Sequence, residues 1–393
     1  MNTLKFGNGE WYGKKDTILA YNDENSNFKP LPFSFDRASS ATRVNKDGLI
    51  ETVGSGEPRI DYKDDSKGAL LLEPSRSNSL VQSNQFDTTW TTTNATVTSG
   101  QRGVGGSSDA WLLSKSSVGG RINQSISLNG VQTTSIYAKA NTSNWIAFIS
   151  GGSKTAYFDL QNGVLGTVSG TAIDAKIESV GNGWYRCSLI QDVTLTEIRV
   201  YIAEDDLDVS GTSGSIYIQY AQVEQGSYAT SYLPTQGSAV TRVTDVCNNA
   251  GNEQVINSTE GVFYVEMNAF DNISRISLSD GGTSNRVSFR ITDDNIDFQY
   301  RVGGSYSYRV DVDVDNSNTN KMAMSFNNGI FVGYLNGVAI GSPISGASLG
   351  QGVLDRLNFN DGNSSDSFEG NIKDVRVYNT TLTDAELQAL TSN

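Results

Sequence analysis

Apolar and polar residues alternate along much of this chain, and the alternation is most regular towards the C-terminus. In the segment 286–291, the apolar residues Val287, Phe289 and Ile291 are separated by polar ones. The segment 296–302 repeats the pattern. Successive side chains of a strand point to opposite faces of the sheet. We therefore predict strands here that have one buried face and one solvated face each.

The middle of the chain carries short extended segments at even spacing. They cover residues 121–128, 134–140, 145–150, 155–160, 183–190, 197–203 and 215–223. Turn signals separate them, such as the dipeptide Asn162-Gly163. Many short strands joined by tight turns are typical of a β-sandwich or jelly roll.

The composition also favours an all-β fold. Glycine is abundant, with 40 residues, and proline is scarce, with 6, which suits short strands and tight turns. One helix is predicted near the C-terminus, where Thr383 and Glu386 have the spacing of a capping box. At 393 residues the chain is long enough for two or three cores.

We predict an N-terminal docking segment and a small β region, followed by two β-sandwich (jelly-roll) domains. The predicted bounds are 1–32 for the docking segment, 33–85 for the small β region, and 86–235 and 246–393 for the sandwiches.

The stretch 214–245 ends one predicted domain and leads into the next. Its first half alternates, which places Ile216, Ile218 and Tyr220 on one face of a strand. Pro234 and the glycines around it interrupt this strand. The stretch resembles the seam between modules of bacteriophage fibre and spike proteins.

The small β region carries the most specific motifs. The strings FDRASSATRVNKDGLIE, PRIDY and LLLEPSRSNSL resemble the N-terminal region of phage head-spike and tail-fibre proteins. The middle segment resembles the carbohydrate-binding-module jelly rolls of phage structural proteins. The C-terminal segment resembles laminin G-like, concanavalin A-like domains.

The resemblance implies a virion protein that is held to the particle by its N-terminal segment. Phe6, Trp11 and Tyr21 are candidate docking residues there, because no strand pattern surrounds them. The alternative is that this segment forms a first strand of its own domain.

The arginines of the small β region allow two interpretations. They form either a ligand site or structural ion pairs with the acidic residues nearby, and we favour ion pairs. The arginines are Arg37, Arg43, Arg59 and Arg76, and the acidic residues are Asp36, Asp47, Asp61 and Glu73.

Charge and hydropathy narrow the range of partners. A formal net charge of −14 repels nucleic acid, and the longest apolar runs are too short to span a membrane. The N-terminus lacks a signal-peptide pattern, so we expect synthesis in a bacterial host cytoplasm. Cys187 and Cys247 lie in strand-like surroundings and are predicted to be buried free thiols.

The chain has no histidine, which excludes Ser-His-Asp and Cys-His nucleophiles and histidine-ligated metals. Acidic residues at 204–208 are the densest candidate for a carboxylate pair, and a solvated loop is the favoured interpretation. The run 311–316 mimics the start of a calcium loop but lacks its glycine and its final glutamate. We predict no metal and no cofactor.

Two places are candidates for glycan binding, which needs an aromatic ring beside polar groups. One is Trp145 with Asn141 and Asn144, and the other is Tyr306. Core or rim packing is the alternative at both places.

Together these features predict a non-enzymatic bacteriophage virion structural protein. We expect a homotrimeric head fibre or spike on the virion surface that displays sandwich modules for adhesion to host-surface glycans. The alternatives are a tail-fibre receptor-binding adhesin, a polysaccharide depolymerase that uses 204–208, and a secreted binding module.

Overall fold

The computed structural model describes residues 3–22, 27–150, 154–170, 172–270, 273–292 and 294–392. Side chains are described for the same residues except 21, 22, 27–30, 150 and 154. The described part is almost entirely β-strand, with one α-helix, so the predicted all-β class is confirmed.

The strands of the first stretch are β1 (Thr3–Gly7), β2 (Tyr12–Lys14), β3 (Thr17–Asn22), β4 (Asn27–Asp36), β5 (Ala41–Val44), β6 (Ile50–Val53), β7 (Arg59–Asp61), β8 (Ala69–Leu72) and β9 (Arg76–Asn78). Those of the middle are β10 (Thr91–Thr93), β11 (Ala95–Gln101), β12 (Ala110–Lys115), β13 (Arg121–Leu128), β14 (Val131–Ala140), β15 (Trp145–Ser150), β16 (Lys154–Asp159), β17 (Val164–Ser169), β18 (Ala172–Ser179), β19 (Trp184–Asp192), β20 (Leu195–Ala203) and β21 (Gly214–Gln225). The last stretch contains β22 (Val240–Arg242), β23 (Val246–Asn248), β24 (Glu260–Ala269), β25 (Ser274–Ser279), β26 (Arg286–Ile291), β27 (Asn295–Val302), β28 (Ser305–Asp313), β29 (Asn320–Asn327), β30 (Ile330–Leu335), β31 (Val338–Ser345), β32 (Arg356–Asn358), β33 (Gly370–Tyr378) and the helix α1 (Asp384–Thr391).

The chain forms two compact units whose bounds differ from the predicted ones. Unit 1 consists of Met1–Lys46, Val53–Pro74 and Val243–Asn393, and unit 2 consists of Asp47–Thr52 and Ser75–Arg242. The N-terminal segment and most of the small β region are thus parts of the same unit as the C-terminal sandwich.

The pairing of β1 explains this difference. β1 lies antiparallel to β33, with Phe6 opposite Val375, and Leu4 and Phe6 are fully buried. These apolar side chains have no local partner, and a strand from the other end of the chain covers them. The sequence allowed two interpretations of this segment, a docking segment or a first strand of its own domain. In the structure, β1 is a strand of the sandwich in unit 1.

Unit 1 is a sandwich of two sheets. The larger sheet has the order β23-β4-β3-β1-β33-β24-β29-β30-β31, and β2, β7 and β8 pair beside this path. The smaller sheet has the order β28-β27-β26-β25-β32. Apolar side chains of both sheets form one core, in which the rings of Phe263 and Phe289 stack at 5.0 Å. Helix α1 packs Leu387 against Val262 and Tyr264 of the larger sheet, and its predicted capping box is present.

Unit 2 is a second sandwich. Its two sheets have the orders β10-β13-β20-β15-β16-β17 and β11-β12-β21-β14-β19-β18. All seven predicted strands are present within a few residues of their predicted bounds. Strands β10, β11, β12, β17 and β18 were not predicted; β17 and β18 are half-exposed and have weak alternation. Cys187 of this unit and Cys247 of unit 1 are buried free thiols, as predicted.

Strand β21 departs from its predicted alternation at Tyr220. This residue has a φ of 53°, and the register of β14 against β21 shifts nearby. Such a bulge turns the following side chains over. Tyr220 therefore packs with Tyr137 on the Tyr217 side of the sheet. Of the three residues predicted to share a face, Ile216 and Ile218 point into the core and Tyr220 does not.

A buried ionic cluster ties the small β region to the stretch after β22, within unit 1. Arg37 donates to Asp245 at 3.0 Å, and Arg59 pairs with both Glu73 and Asp245. The side chains are 0–1% exposed. The predicted structural role of Arg37 and Arg59 is thus confirmed, and Asp245 is a partner that local sequence did not indicate.

Candidate functional site

The outer face of the five-stranded sheet in unit 1 is polar but largely buried. The predicted solvated faces of β26 and β27 are therefore wrong: Arg286, Ser288, Asp297 and Gln299 are at most 3% exposed. These side chains cover one another across adjacent strands. The loop 360–366 covers them further, with Ser277 donating to the Asn360 carbonyl at 2.8 Å.

One lateral row of this face carries arginines next to each other. In the ladder, Ser279 is paired with Arg286, Arg286 with Arg301, and Arg301 with Tyr306. Like charges placed directly opposite each other destabilise a sheet. We call Arg286 and Arg301 the arginine pair.

The hydrogen bonds of the arginine pair go to backbone carbonyls. Arg286 Nη1 donates to Asp361 at 2.8 Å, and Arg301 Nη2 donates to Gly304 at 2.5 Å. The Nε atoms of both arginines are buried without a hydrogen-bond partner. Within the described ranges, neither guanidinium forms an ion pair with a carboxylate.

A third arginine lies near the pair. Arg275 Nη1 donates to Gln299 Oε1 at 2.5 Å, and its Nη2 lies 3.4 Å from Asp366. Its Nε has no partner either. This end of the polar face therefore holds more guanidinium charge than its carboxylates neutralise.

The pKa values reflect this imbalance. Burial, and then the charges of Arg275 and Arg301, lower the pKa of Arg286 to about 10. Burial also lowers the pKa of Arg275. Arginine side chains stay protonated in proteins, so the mutual repulsion of these guanidiniums is part of the folded state.

Tyr306 is the last residue of this row and lies on β28, the end strand of the five-stranded sheet. Its side chain is 45% exposed. The guanidinium carbons of Arg301 and Arg309 lie 4.8 and 5.2 Å from the ring centroid. The structure thus places a candidate glycan-binding ring beside donors with spare hydrogen-bonding capacity.

The second predicted place, in unit 2, is more closed. Trp145 packs with Tyr157 and Tyr201 in a small cluster on the outer face of the sheet that contains β15, β16 and β20. The Asn141 amide donates to Ser215 Oγ at 2.8 Å, and both Asn141 and Asn144 are exposed. Two of the three candidates are thus already engaged by the protein, and a glycan role for them remains a prediction.

The carboxylates of Glu204, Asp205 and Asp206 accept hydrogen bonds that fix the conformation of their loop. Glu204 accepts from Lys115 and from the backbone of Gly211, and Asp206 accepts from Thr167 through both oxygens. Asp205 accepts from the backbone of the next residue. This arrangement agrees with the favoured interpretation of a loop.

The three candidate docking residues differ in what the structure shows of their side chains. Phe6 is fully buried, so its ring is not available to a partner in this fold. Trp11 is partly buried and donates to the Gly68 carbonyl at 3.0 Å. Tyr21 lies in β3, and its side chain is outside the described part.

In the residues that the structure describes, no group of three or more His, Cys, Asp or Glu side chains has the geometry to hold a metal ion. The described helix lacks the length and hydrophobicity of a membrane-crossing segment.

Residues 262–388 match the model of a family described as the concanavalin A-like lectin/glucanases superfamily, Laminin_G_3. This part of the chain is therefore similar to laminin G-like, concanavalin A-like domains. The match includes strands β25 to β28 and therefore the whole arginine pair. It covers well under half of the chain. No curated protein sequence matches the chain.

Three solved structures show weak likeness. A carbohydrate-binding module (CBM40) of the Ruminococcus gnavus IT-sialidase, bound to α2,3-sialyllactose, is 20% identical, with 36% of this chain and 92% of that chain covered and a TM-score of 0.31. Domain 4 of AbnA, a GH43 extracellular arabinanase from Geobacillus stearothermophilus, in complex with arabinotriose, is 15% identical, with 43% and 84% covered and a TM-score of 0.30. Domains LG4-5 of the mouse laminin alpha1 chain are 10% identical, with 77% and 88% covered and a TM-score of 0.24. With TM-scores this low, these likenesses carry no argument about function.

Sequence reasoning named Tyr306 as a candidate, which stays a prediction, and it did not indicate the arginine pair. It assigned Arg286 to a solvated face, where an arginine needs no partner. The available signal was that consecutive strands place arginines at corresponding positions, but their register had to be known first.

Proposed function

We propose that this protein is a non-catalytic glycan-binding adhesion protein that uses the polar face of its laminin G-like domain. The observation that carries the proposal is Tyr306, an exposed ring on a face whose other side chains are mostly buried and polar. A sugar binds through an apolar ring face and several hydrogen bonds. The ring of Tyr306 and the guanidinium groups beside it offer both.

A glycan array with the intact protein tests the proposal. Tyr306→Ala is expected to weaken binding about tenfold, because it removes roughly 1–2 kcal/mol of ring and cation–π contact. Tyr12→Ala is a matched control, since Tyr12 is also exposed in unit 1 and has Lys14 5.6 Å from its ring. Equal binding by both variants and the parent protein would contradict this site.

The same proteins separate binding from hydrolysis. Because the carboxylates of Glu204, Asp205 and Asp206 already accept hydrogen bonds from other groups of the protein, we expect no release of reducing ends from a polysaccharide panel. Release that disappears in Asp205→Asn and Asp206→Asn variants would instead support the depolymerase alternative.

We infer from the sequence motifs of residues 35–80 that the protein is a structural part of a bacteriophage particle, either a head fibre or spike or a tail-fibre adhesin. The support is the resemblance of these motifs to phage spike and fibre proteins. Immunogold labelling of purified particles tests it: label on the capsid favours the head fibre, label on the tail favours the adhesin, and unlabelled particles refute both.

A trimer is part of this proposal. Symmetric assembly multiplies weak sugar contacts, because each bound copy raises the local concentration of the others. Light scattering of the purified protein tests self-assembly, and a monomer would refute it.

A further inference from the structure

We propose that the arginine pair binds the anionic group of an acidic sugar, a uronate carboxylate or a sulfate ester. This inference rests on the proposed function and specifies the class of glycan. It depends on three observations: the placement of the two guanidiniums, their Nε donors without a hydrogen-bond partner, and the lack of an ion pair between either guanidinium and a carboxylate in the described ranges.

The placement concentrates positive charge in an otherwise acidic protein. Arg286 and Arg301 are direct neighbours across two strands, and only Ser279 separates Arg286 from Arg356 in the same row. The formal net charge of the chain is −14. An acidic glycan would be repelled by most of such a molecule, so a local cationic site is what allows it to bind.

The donors are available because the carboxylates nearby are already in use. Asp361 accepts from the backbones of Asn363 and Ser365 and holds its loop. Asp280 accepts from Gly282 and Asn285. Neither carboxylate forms an ion pair with Arg286. The Nε atoms of the buried Arg286 and the partly exposed Arg301 have no hydrogen-bond partner.

Burying such donors is unfavourable, and a bound carboxylate or sulfate would relieve the cost. A guanidinium offers parallel N–H groups that match the oxygens of these anions. Arg301 is partly exposed and lies against the exposed ring of Tyr306, so it is the residue that contacts the anion. Arg286 adds charge from the buried end of the row.

The paired cluster of the same unit makes a useful contrast. There, Arg37 and Arg59 are also buried, but Asp245 and Glu73 neutralise them. A fold that needed the arginine pair only as structure would be expected to supply a similar carboxylate.

The test uses the intact protein on an array where each acidic glycan is printed beside its carboxyl-reduced or desulfated counterpart. We expect the acidic form to bind about tenfold more strongly, because one charge-assisted hydrogen bond contributes a binding free energy of that size. Which counterpart loses binding distinguishes carboxylate from sulfate. Arg301→Met should reduce binding of the acidic form to that of its neutral counterpart, and Arg301→Lys should restore part of it.

Arg286→Met should weaken binding of the acidic form in the same direction. Its melting temperature should equal or exceed that of the parent protein, because an uncompensated buried charge is removed. Arg121→Met is the control, since Arg121 lies over the Tyr201 ring in unit 2, and its binding should not change.

The outcomes separate this inference from the proposed function. Equal binding of acidic and neutral forms, lost in Tyr306→Ala, would overturn the anion site and leave glycan binding intact. If no glycan binds, melting in sodium glucuronate or sulfate against chloride at equal ionic strength decides. If the anion raises the melting temperature of the parent protein but not that of Arg301→Met, the anion site is supported without a glycan function. If the anion raises neither melting temperature, both the anion site and the proposed glycan binding are refuted.

Discussion

Buried arginines occur in two kinds of surroundings in unit 1. Arg37 and Arg59 share Asp245, whereas Arg286 donates to a carbonyl, lies beside like charges and forms no ion pair with a carboxylate in the described ranges. A buried ion pair adds little net stability, but removing one partner leaves a buried charge uncompensated. The two sites should therefore respond in opposite ways to the loss of a charge.

Asp245→Ala tests the paired cluster. It leaves two buried guanidiniums without their shared carboxylate, so the free energy of unfolding should fall by about 3–5 kcal/mol. Chemical denaturation of the full chain measures it.

Asp174→Ala is the control for this experiment. Asp174 lies 3.9 Å from Lys176, and both side chains are about half exposed, so its loss should cost less than about 1 kcal/mol. A similar small cost for Asp245→Ala would contradict the structural role of the cluster.

Two-residue turns connect neighbouring strands of the larger sheet. Asn328 and Gly329 have φ angles of 46° and 86°, and Asn336 and Gly337 have 48° and 84°. Left-handed values at both positions are those of the type I′ turn, which matches the twist of the flanking strands. These turns were predictable because asparagine and glycine tolerate this backbone.

Gly329→Ala should destabilise the protein through both strain and a clash. The left-handed backbone costs about 1 kcal/mol, and the added Cβ would lie 2.3 Å from the Gly346 carbonyl oxygen. Gly341→Ala, at a φ of 71° with open space around it, should show the strain alone. Thermal melts should rank the two variants in this order, and equal melting temperatures would contradict the close approach.

Helix α1 depends on its first turn. Thr383 accepts from the Glu386 backbone at 3.3 Å, and Glu386 accepts from the Thr383 backbone at 2.8 Å. Thr383→Ala should lower the stability of the protein by about 1 kcal/mol, measured by denaturation. Thr381→Ala, outside the box, should change it little.

Acid should weaken the same box. The hydrogen bonds that the Glu386 carboxylate accepts from Thr383 lower the pKa of Glu386. A carboxyl whose pKa is lower in the folded state stabilises above its unfolded pKa, and this contribution is lost as the pH falls through the folded pKa. The difference between parent and Glu386→Gln proteins should therefore shrink on acidification, and a constant difference would contradict the box.

Unit 1 is discontinuous in sequence, because most of unit 2 is inserted between Pro74 and Val243. Residues of unit 1 that flank the insertion on either side are hydrogen-bonded to each other. The Asp245 backbone donates to the Glu73 carbonyl at 3.0 Å, and the Glu73 backbone donates to Asp245 Oδ2 at 2.9 Å.

This arrangement predicts which fragments fold. Residues 1–74 joined by a short flexible linker to 243–393 should melt cooperatively, because all strands of the larger sheet are present. Residues 246–393 alone should not, since β33 would lose β1 and expose the core that Leu4 and Phe6 cover. Residues 75–242 serve as a control that should fold. Cooperative melting of 246–393 alone would show that the first strands are dispensable.

The sequence by itself determined many of the strands, the Asn-Gly turns and the helix cap of this protein. Bounds such as those of β13 and β15 follow from alternation, and the turn at Asn336 follows from the backbone that asparagine and glycine permit. Both signals act over a few residues, so no distant contact is needed to read them. The laminin G-like C-terminal domain was also within reach, through the motif of β33 and α1.

Only the tertiary structure decided which strands pair and which polar faces are buried. β1 pairs with β33 from the far end of the chain, Tyr220 is turned over by a bulge, and Arg286 meets Arg301 through the register of two strands. Alternation states only that a side chain faces away from the core. Whether water or another part of the chain lies beyond it depends on residues distant in sequence, and for this reason the arginine pair was visible only in the folded protein.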